Sequence, residues 1–566
     1  MHKSVAIVGS GPTAIYALQE LISCPLPLSI SIYEASAVAG KGTPYQYGFN
    51  DPVMLSNIPS VEIPTLPETL VDWLRGTTDE YLSEFDLVRG EINDRSFYPR
   101  VVLGDFFRTQ FKSIVAEGEQ RRHDITVVES CRVTDVAMVN SQFELVRSIN
   151  GREEREVFDF VVAATGHNFP TDPETSPGYF SAPWPAEKLK SVPCGPVGIL
   201  GTSLSAIDAV VTVATDFGAF RRGTDGKLIY SPHDGCENFS AVMMSRKGLL
   251  PEADFYFPIP YEAPRICTRE AVDERCALGA SGLLDDIFDL FRAEILDADP
   301  QYAALIGLDG LTVDTFAAAY YGQRDQVDPF IWAERNLIEA KNNYRRQYTV
   351  PWRYAILITH EIIETAVSYL NADDLHRFNR SFKGIFADEY ATVPHLSIER
   401  LLALHAAGKL SILALGDESQ ISTDSIDRGA SVHLPAGSRY FQTFIDATGQ
   451  QSLSADESLF PTLVDQGLIR EAKTLTARGN HVRTGGIDVD ARCRPAVRGI
   501  AAARRLFIPA VSYLLHKRPF IQGITSAAEL GKIVGEAIKD DVTRLRRTRR
   551  RPKGVPTSAK VLSLTD

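Results

Sequence analysis

The sequence predicts an α/β protein in which two similar units of parallel sheet are combined with a mostly helical insertion and followed by a basic, disordered C-terminal tail. Three observations lead to this prediction. At residues 4–22 a short apolar strand runs into a glycine-rich turn and then into a helix. The same pattern returns at residues 197–214. Between residues 249 and 395 apolar residues recur at helical spacing instead, as in segments 283–295 and 354–369.

Length, composition and charge agree with a folded protein of several domains. The 566 residues correspond to three or four domains of about 150 residues each. With 44% hydrophobic and 23% charged residues, the chain is not mainly disordered. Its net charge of -13 disfavours a general nucleic-acid binder, since phosphate contacts need clustered Lys and Arg.

The sequence gives no sign of membrane insertion or export. No apolar run reaches the roughly 18 residues of a spanning helix. The first apolar stretch ends at Gly9, which is too early for a signal peptide. We therefore expect a cytoplasmic protein.

Neither cysteines nor histidines form a metal or redox motif. The seven cysteines are scattered and no pair has C-x-x-C spacing, so we expect no disulfide framework and no zinc site. His360-Glu361 resembles the start of H-E-x-x-H, but Glu364 stands where the second histidine belongs. We expect His360 to lie on an ordinary helix face, and no bound metal.

The first turn has the features of a dinucleotide site. Gly9-Ser10-Gly11-Pro12-Thr13-Ala14 matches G-x-G-x-x-G/A, in which Gly9 makes the tight turn and Gly11 admits a pyrophosphate. Ala14 allows close helix packing, and the helix N-terminus attracts phosphate. Glu34 follows 20 residues later, where an acid bonds a ribose 2′-hydroxyl and repels a 2′-phosphate. This predicts FAD or NAD rather than NADP; the alternative is a tight turn without a ligand.

The second turn differs at the two positions that matter for specificity. Gly201-Thr202-Ser203-Leu204-Ser205-Ala206 has serine in place of the second glycine, and its hydroxyl can donate to phosphate. The next strand ends in Ser245-Arg246-Lys247 rather than in an acid. A cation there suits a ribose 2′-phosphate, so we favour NADPH over NADH. A solvated loop is the alternative interpretation.

Two such sites in one chain have a simple chemical interpretation. One site holds FAD permanently, and the other brings NADPH, whose hydride passes to the flavin.

Several further motifs point to a known family. They are Gly42-Thr43-Pro44-Tyr45, Leu55-Ser56-Asn57-Ile58-Pro59, Asp72-Trp73-Leu74, Tyr98-Pro99-Arg100, Ser245-Arg246-Lys247-Gly248-Leu249-Leu250-Pro251 and Gly485-Gly486-Ile487-Asp488-Val489. With these motifs the chain resembles the flavoproteins with two dinucleotide-binding domains, and in particular the group of FAD-dependent urate hydroxylase and aspartate N-monooxygenase. The resemblance extends to about residue 540.

A more distant similarity concerns the ornithine and lysine N-monooxygenases. Their D-x-x-x-L-A-T-G-Y element is similar to residues 159–167, which include Thr165 and Gly166, although Ala and His replace the Leu and Tyr. A second Ala-Thr-Gly stands at residues 447–449. The resemblance implies that both mark crossings between the FAD and NADPH domains; ordinary strand ends are the alternative. The F-x-G-x-x-x-H motif of class B monooxygenases is missing at residues 179–185, which disfavours a Baeyer–Villiger enzyme.

The resemblance also implies further cofactor contacts. The final helix would direct its N-terminus at the flavin, although Thr525 could equally be a simple N-cap. The implied FAD contacts are Gly42, Tyr45 and Asn57 after the second strand, the backbone of Val133, and Gln522, Gly523 and Ile524 before the final helix.

The expected domain order follows from these motifs. The predicted boundaries are 1–188 for the first part of the FAD domain, 189–250 for the NADPH unit, 251–395 for a helical substrate region, 396–543 for the second part of the FAD domain and 544–566 for the tail.

The expected activity is that of an FAD-dependent, NADPH-using monooxygenase. By resemblance, it would use O2 through a C4a-hydroperoxyflavin to N-hydroxylate an amino acid or another small amine. Alternatives are a urate-type ring hydroxylase, an NADPH:acceptor oxidoreductase and a non-catalytic nucleotide-binding protein. Arg345, Arg346 and Arg353 stand beside aromatic residues and are candidates for binding a substrate carboxylate; an exposed basic helix is the alternative.

Overall fold

The protein is described from a computed structural model. It describes residues 2–149, 151–167, 176–424, 426–449, 453–476, 478–521 and 523–550, with the backbone alone for 545–550.

The strands fall into two parallel sheets and several small antiparallel ones. In chain order they are β1 (Lys3–Val8), β2 (Leu28–Tyr33), β3 (Asp124–Val128), β4 (Cys131–Val139), β5 (Gln142–Ile149), β6 (Arg152–Phe158), β7 (Phe160–Ala163), β8 (Tyr179–Phe180), β9 (Pro196–Leu200), β10 (Gly218–Arg222), β11 (Leu228–Pro232), β12 (Ser240–Ser245), β13 (Leu410–Ala414), β14 (Gln420–Ser422), β15 (Ala430–Leu434), β16 (Gly437–Phe441), β17 (Thr443–Asp446), β18 (Glu471–Leu475), β19 (His481–Ile487) and β20 (Leu506–Phe507).

Helices cover the sheets and form most of the central insertion. They are α1 (Pro12–Leu21), α2 (Leu70–Gly76), α3 (Asp79–Ser83), α4 (Arg100–Gln120), α5 (Leu204–Phe217), α6 (Arg269–Ala277), α7 (Leu283–Ala298), α8 (Pro300–Ile306), α9 (Phe316–Tyr321), α10 (Pro329–Arg346), α11 (Pro351–Val367), α12 (Ala372–Arg377), α13 (Lys383–Tyr390), α14 (His395–Ala406), α15 (Pro461–Asp465) and α16 (Ile524–Arg550).

The first parallel sheet is built from both ends of the chain. Its order is β20-β7-β1-β2-β3, and each neighbouring pair is parallel. Residues 5–8 of β1 are buried throughout, because layers cover both faces of the sheet. The antiparallel sheet β4-β5-β6 lies beside it.

The second parallel sheet repeats this arrangement in the order β13-β12-β9-β17-β8. In each sheet, the strand that opens the unit lies beside a strand that is followed directly by Ala-Thr-Gly. These neighbours are β7 beside β1 and β17 beside β9.

The second sheet corrects two predicted domain boundaries. Residues 179–180 were expected in the FAD domain, and so were residues 396–543. Strands β8, β13 and β17 belong instead to the sheet of β9 and β12. The reason is that parallel strands distant in sequence complete the sheet around β9, which local patterns do not reveal.

The central insertion is helical, as predicted. We call α6 to α13 the helical domain. Its core is a cluster of buried aromatic rings packed mostly edge to face, such as Phe291 against Phe316, Phe382 and Phe386. The predicted α/β architecture with two parallel-sheet units and a helical insertion is confirmed.

The last helix is longer than predicted. The segment 525–538, rich in Ala, Glu and Lys, predicts a helix of that length. The helix begins at Ile524 and continues to Arg550, so residues 544–550 of the predicted tail are helical. Residues 551–566 lie outside the described residues. Gly531 and Gly535 let α16 approach α1 closely, since a Cβ on Gly531 would lie 2.6 Å from the Thr13 carbonyl oxygen.

Among the helices described, none is long and apolar enough to cross a membrane.

Candidate functional site

The first glycine turn forms a cradle in which only glycine fits. Gly9 has φ +97°, and a Cβ there would lie 2.3 Å from the carbonyl oxygen of Ala164. A Cβ on Gly11 would lie 3.2 Å from the Cα of Gly42. Gly11 is also the N-cap of α1 and has no side chain to cap the helix. The free N–H groups of α1 therefore remain available to a phosphate.

Hydrogen bonds to the buried Glu34 carboxylate stabilise this turn. The Ser10 hydroxyl donates to a Glu34 carboxylate oxygen at 2.5 Å, and the backbone N–H of Ser36 donates to the other oxygen at 2.8 Å. The Gly40 N–H donates to the Ser10 hydroxyl oxygen at 2.9 Å. The first carboxylate oxygen also accepts from the Ser10 backbone N–H at 3.2 Å. The second oxygen, which accepts from Ser36, can take one more bond, as the predicted ribose contact requires.

Most of the predicted FAD contacts line one cleft, which we call the flavin cleft. Ala14 lies behind the turn and is buried in the core. Gln522 lies outside the described residues. The predicted residues that line the cleft are Gly9, Gly11, Pro12, Glu34, Gly42, Tyr45, Val133, Thr165, Gly166 and Gly523.

An inner cavity continues the flavin cleft toward the second sheet. The two share Tyr45, His167, Val511 and Gly523 in their walls. The inner cavity contains the other predicted contacts, Asn57 and Ile524, and also Ser205 from the second turn. A long cleft ending between the two sheets fits a dinucleotide whose reactive ring meets a second cofactor. The residues present therefore fit FAD.

The second glycine turn repeats the geometry of the first. Gly201 has φ +122°, and a Cβ there would lie 2.8 Å from the carbonyl oxygen of Ala447. Ser203 is the N-cap of α5 and makes no capping hydrogen bond, while Ala206 is fully buried. The start of α5 thus leaves its N–H groups available for a phosphate, which fits NADPH.

The two cations at the end of β12 have different surroundings. The Arg246 side chain is 62% exposed, and its nearest carboxylate, Asp417, is 3.9 Å away. The Lys247 ammonium lies 3.7 Å from the ring centre of Tyr321 and 3.8 Å from Asp325. Burial lowers the pKa of Lys247 from its usual value. Lys247 is therefore oriented toward the helical domain.

These cations belong to a cavity that we call the phosphate cavity. It also includes Thr202, Ser203 and Ser245, whose hydroxyl oxygen accepts from Thr202 at 3.0 Å and from the Gly248 N–H at 3.2 Å. The helical domain supplies residues that sequence patterns did not reveal: Arg324, Asn379, Arg380 and Ser381.

A third cavity lies between the helical domain and the flavin cleft. It shares Asn57, Leu204, Gly523 and Ile524 with the inner cavity. We call it the acidic chamber, because its lining includes five carboxylates, those of Glu62, Asp254, Glu361, Glu364 and Glu389.

Burial shifts the acidity of several chamber carboxylates. It raises the pKa of Glu62 to about 7, even though the Tyr261 hydroxyl donates to Glu62 at 2.9 Å. Burial likewise raises the pKa of Asp254 to about 6 and that of Glu389 to about 7. The chamber therefore contains groups that change charge near neutral pH.

Glu364 connects the chamber to the start of α16. Its carboxylate accepts from the Arg518 guanidinium at 3.0 Å and from the Phe520 backbone N–H at 2.8 Å. These contacts fix the segment that precedes Gly523 in the wall of the flavin cleft.

His360 lies on α11, as expected, but it also lines the acidic chamber. Its ring stacks on Tyr390 with centres 5.3 Å apart and contacts the edge of Phe520. Among the described residues, no group of three or more His, Cys, Asp or Glu could hold a metal ion.

The predicted substrate arginines are not brought together. Arg353 is buried and its guanidinium donates to Glu389 at 2.8 Å, so it is not free to bind a substrate carboxylate. Arg345 and Arg346 lie exposed at the end of α10, and neither lines the acidic chamber. For Arg353 the prediction is corrected, because its charge belongs to an internal ion pair. Arg345 lines a different cavity, with Tyr344 and Arg95, and a substrate role for Arg345 and Arg346 stays a prediction.

Comparisons with known proteins agree with this architecture. The FAD-NAD(P)-binding family matches residues 6–168, and the YdhS-like middle domain matches residues 268–390. The protein YdhS of Escherichia coli strain K12 is 39% identical over 546 residues, covering 96% of this chain and 99% of its own. The match confirms the FAD/NAD(P)-binding domain; the closer resemblance to the urate hydroxylase group stays a prediction.

Two solved structures are similar to this chain at low sequence identity. Ornithine N-hydroxylase of Kutzneria sp. 744 has a TM-score of 0.47 at 12% identity, covering 96% of this chain and 100% of its own. Ornithine hydroxylase PvdA of Pseudomonas aeruginosa has a TM-score of 0.45 at 12% identity, covering 95% and 99%. Likeness at this level carries no information on the substrate.

Proposed function

The chain belongs to the family of Escherichia coli YdhS and carries an FAD/NAD(P)-binding domain, and on this basis we propose that it is an FAD-dependent, NADPH-using monooxygenase that N-hydroxylates a small polar amine. The two glycine cradles support the cofactors of this proposal. The charge of the acidic chamber supports an amine as the substrate.

The position and charge of the acidic chamber carry the proposal. The chamber shares four wall residues with the inner cavity, so a bound molecule would lie beside the flavin ring. Glu364 is paired with Arg518 and Glu389 with Arg353. Among the described residues, neither Glu62 nor Glu361 forms an ion pair, so their charge is available to a ligand. A small cation such as a protonated amine is the chemical complement of such a site.

Each part of the chain has a defined task in this proposal. Flavin, when bound, supplies hydride acceptance and the activation of O2. The N-termini of α1 and α5 hold the pyrophosphates of the two cofactors. Apolar side chains such as Leu204 and Ile524 exclude water from the junction of the two cavities.

Glu62 would hold the amine and accept its proton. A pKa of about 7 lets its carboxylate oxygen take a proton from the substrate ammonium, which leaves the nitrogen lone pair free to react. Tyr261 donates to the same carboxylate and keeps it in position.

The proposal is tested with purified, FAD-loaded protein. NADPH consumption is measured against a panel of amino acids, polyamines and purines, while hydrogen peroxide is quantified and products are weighed by mass spectrometry. We expect one class of amine to raise NADPH consumption, lower peroxide release and gain one oxygen atom. Gain of oxygen by a purine would support the ring-hydroxylase alternative. Consumption of NADPH without oxygen transfer to any compound would support an NADPH:acceptor oxidoreductase, and a protein that takes up no flavin would contradict enzymatic activity of this kind.

A further inference from the structure

The phosphate cavity has a second wall, which the helical domain provides. A π-helical turn, Phe378–Phe382, joins α12 to α13. Such turns widen the helix locally and are frequent at functional sites. Phe378 and Phe382 are fully buried in the aromatic core, while the three polar residues between them, Asn379, Arg380 and Ser381, line the phosphate cavity. The turn thus presents a polar segment to the site of the second cofactor.

Arg380 is the cation of this wall that remains free for a ligand. It is exposed, and within the described part of the chain it makes no hydrogen bond and no ion pair. Arg377, one turn earlier, contrasts with it because three aspartates bind its guanidinium. Arg324 lines the same cavity but is buried, with Asp388 as one partner and Glu252 at 3.2 Å as another.

The rest of the cavity also favours an anion. Of the two cations that the sequence places at the end of β12, Lys247 is held between Tyr321 and Asp325, which leaves Arg246 as the freer one. Asp388 is the one carboxylate among the described lining residues, and Arg324 neutralises it. Among the described residues, the guanidinium groups most available to a ligand are that of Arg380, which has no ion pair, and that of Arg246, which has Asp417 at 3.9 Å. They come from different domains.

We infer that Arg380 binds the ribose 2′-phosphate of NADPH together with Arg246, so that the helical domain takes part in selecting NADPH over NADH. A guanidinium can bind two phosphate oxygens at once, and two such groups surround a phosphate dianion more completely than one. The neighbouring Ser381 hydroxyl and Asn379 amide can donate further hydrogen bonds. The inference rests on the proposed NADPH site and assigns the helical domain as a second wall of that site.

Calorimetric titration of the FAD-loaded protein with NADP⁺, NAD⁺ and 2′,5′-ADP tests the inference. Arg380→Gln is expected to weaken the binding of NADP⁺ and 2′,5′-ADP about tenfold, the effect of losing one charge-assisted contact, and to leave NAD⁺ unchanged. Arg380→Lys keeps the charge but not the two-pronged geometry, so its loss should be smaller. Arg275→Gln removes an equally exposed charge on α6 of the same domain and should change nothing. Flavin content and melting temperature verify that each variant is folded.

Failure of this inference can be distinguished from failure of the proposed function. If Arg246→Ala loses the preference for NADP⁺ while Arg380→Gln binds like the unmodified protein, the role of Arg380 is wrong and the NADPH site stands. If Arg380→Gln weakens NAD⁺ as much as NADP⁺, its role is structural and the inference is overturned. If the unmodified protein binds NADP⁺ no more tightly than NAD⁺, both the inference and the proposed NADPH preference fail.

Discussion

At Gly11, a hydrogen atom in place of a side chain keeps the path into the flavin cleft open. A Cβ there would already lie 3.2 Å from Gly42, and the methyl groups of valine would extend into the cleft. We therefore expect Gly11→Val to lower flavin content at least about tenfold. The ratio of absorbance near 450 nm to that near 280 nm, measured after desalting, checks this. Gly90→Val, at a glycine with nothing within 4 Å of its Cβ position, is the matched control. A variant at Gly11 that keeps its full flavin content would contradict the assignment of the cleft.

The raised pKa of Glu62 predicts that kcat/KM for an amine substrate rises with pH. Burial raises its pKa to about 7, so the carboxylate is mostly neutral below that pH and charged above it. A cationic amine should be bound and deprotonated better in the charged form, so kcat/KM should rise about tenfold between about pH 6 and 8. In Glu62→Gln the rise should disappear, with a loss of similar size at pH 8 and little change at pH 6. Glu339→Gln, on the exposed face of α10, should keep the rise. An unchanged profile in Glu62→Gln would exclude this carboxylate from the reaction.

Particular residues show which parts of the candidate site could be predicted from the sequence and which could not. Gly9, Gly11 and Glu34 were predicted because their signal lies in one short segment. Arg353 misled the prediction because its partner, Glu389, follows 36 residues later and buries the charge. Arg380 gave no signal, because its significance depends on a cavity formed with residues more than 130 positions earlier.

At the scale of elements, the contact of α16 with α1 reverses a general rule. Gly→Ala within a helix usually stabilises by about 1 kcal/mol. At Gly531 the new Cβ would lie 2.6 Å from the Thr13 carbonyl oxygen and 2.8 Å from the Ala17 nitrogen, both backbone atoms. We therefore expect Gly531→Ala to lower the free energy of unfolding by about 1–3 kcal/mol and to weaken FAD binding, since α16 begins at the flavin cleft.

Urea denaturation of both forms measures this effect. Gly76→Ala, at the end of α2 with open space around its Cβ position, should be neutral or slightly stabilising. Equal stabilisation by both substitutions would show that the two helices can separate without cost.

Elements with strong local patterns were predicted well, and their pairing was not. The strand and turn of both units follow from apolar runs and glycine spacing within about 20 residues. The positions of β8, β13 and β17 in the second sheet depend on long-range pairing that no local pattern encodes. The length of α16 was underestimated because its C-terminal half is rich in arginine and resembles a tail.

At the scale of the whole molecule, cofactor binding should contribute to stability. FAD binds the native cleft, which is formed by segments from both ends of the chain, and not the unfolded protein. At a concentration of 100 times Kd it should add about 2.7 kcal/mol, or roughly 2–3 °C in the melting temperature of a chain of this length. Differential scanning calorimetry of the apoprotein with and without FAD measures this shift. Gly11→Val should show no such rise, and an equal rise in that variant would mean that FAD acts elsewhere.

The construction of the first sheet has a consequence for synthesis on the ribosome. Strand β20 completes the edge of a sheet whose other strands end at Ala163, about 340 residues earlier. At translation rates of 5–20 residues per second, the N-terminal strands wait roughly 20–70 s for their last neighbour and for α16. The sheet around β9 is complete once β17 has emerged, before β20 is made. We therefore expect the flavin to be retained only late in the synthesis of this protein. A ribosome that stalls before residue 506 would leave the first sheet with an unpaired edge at β7.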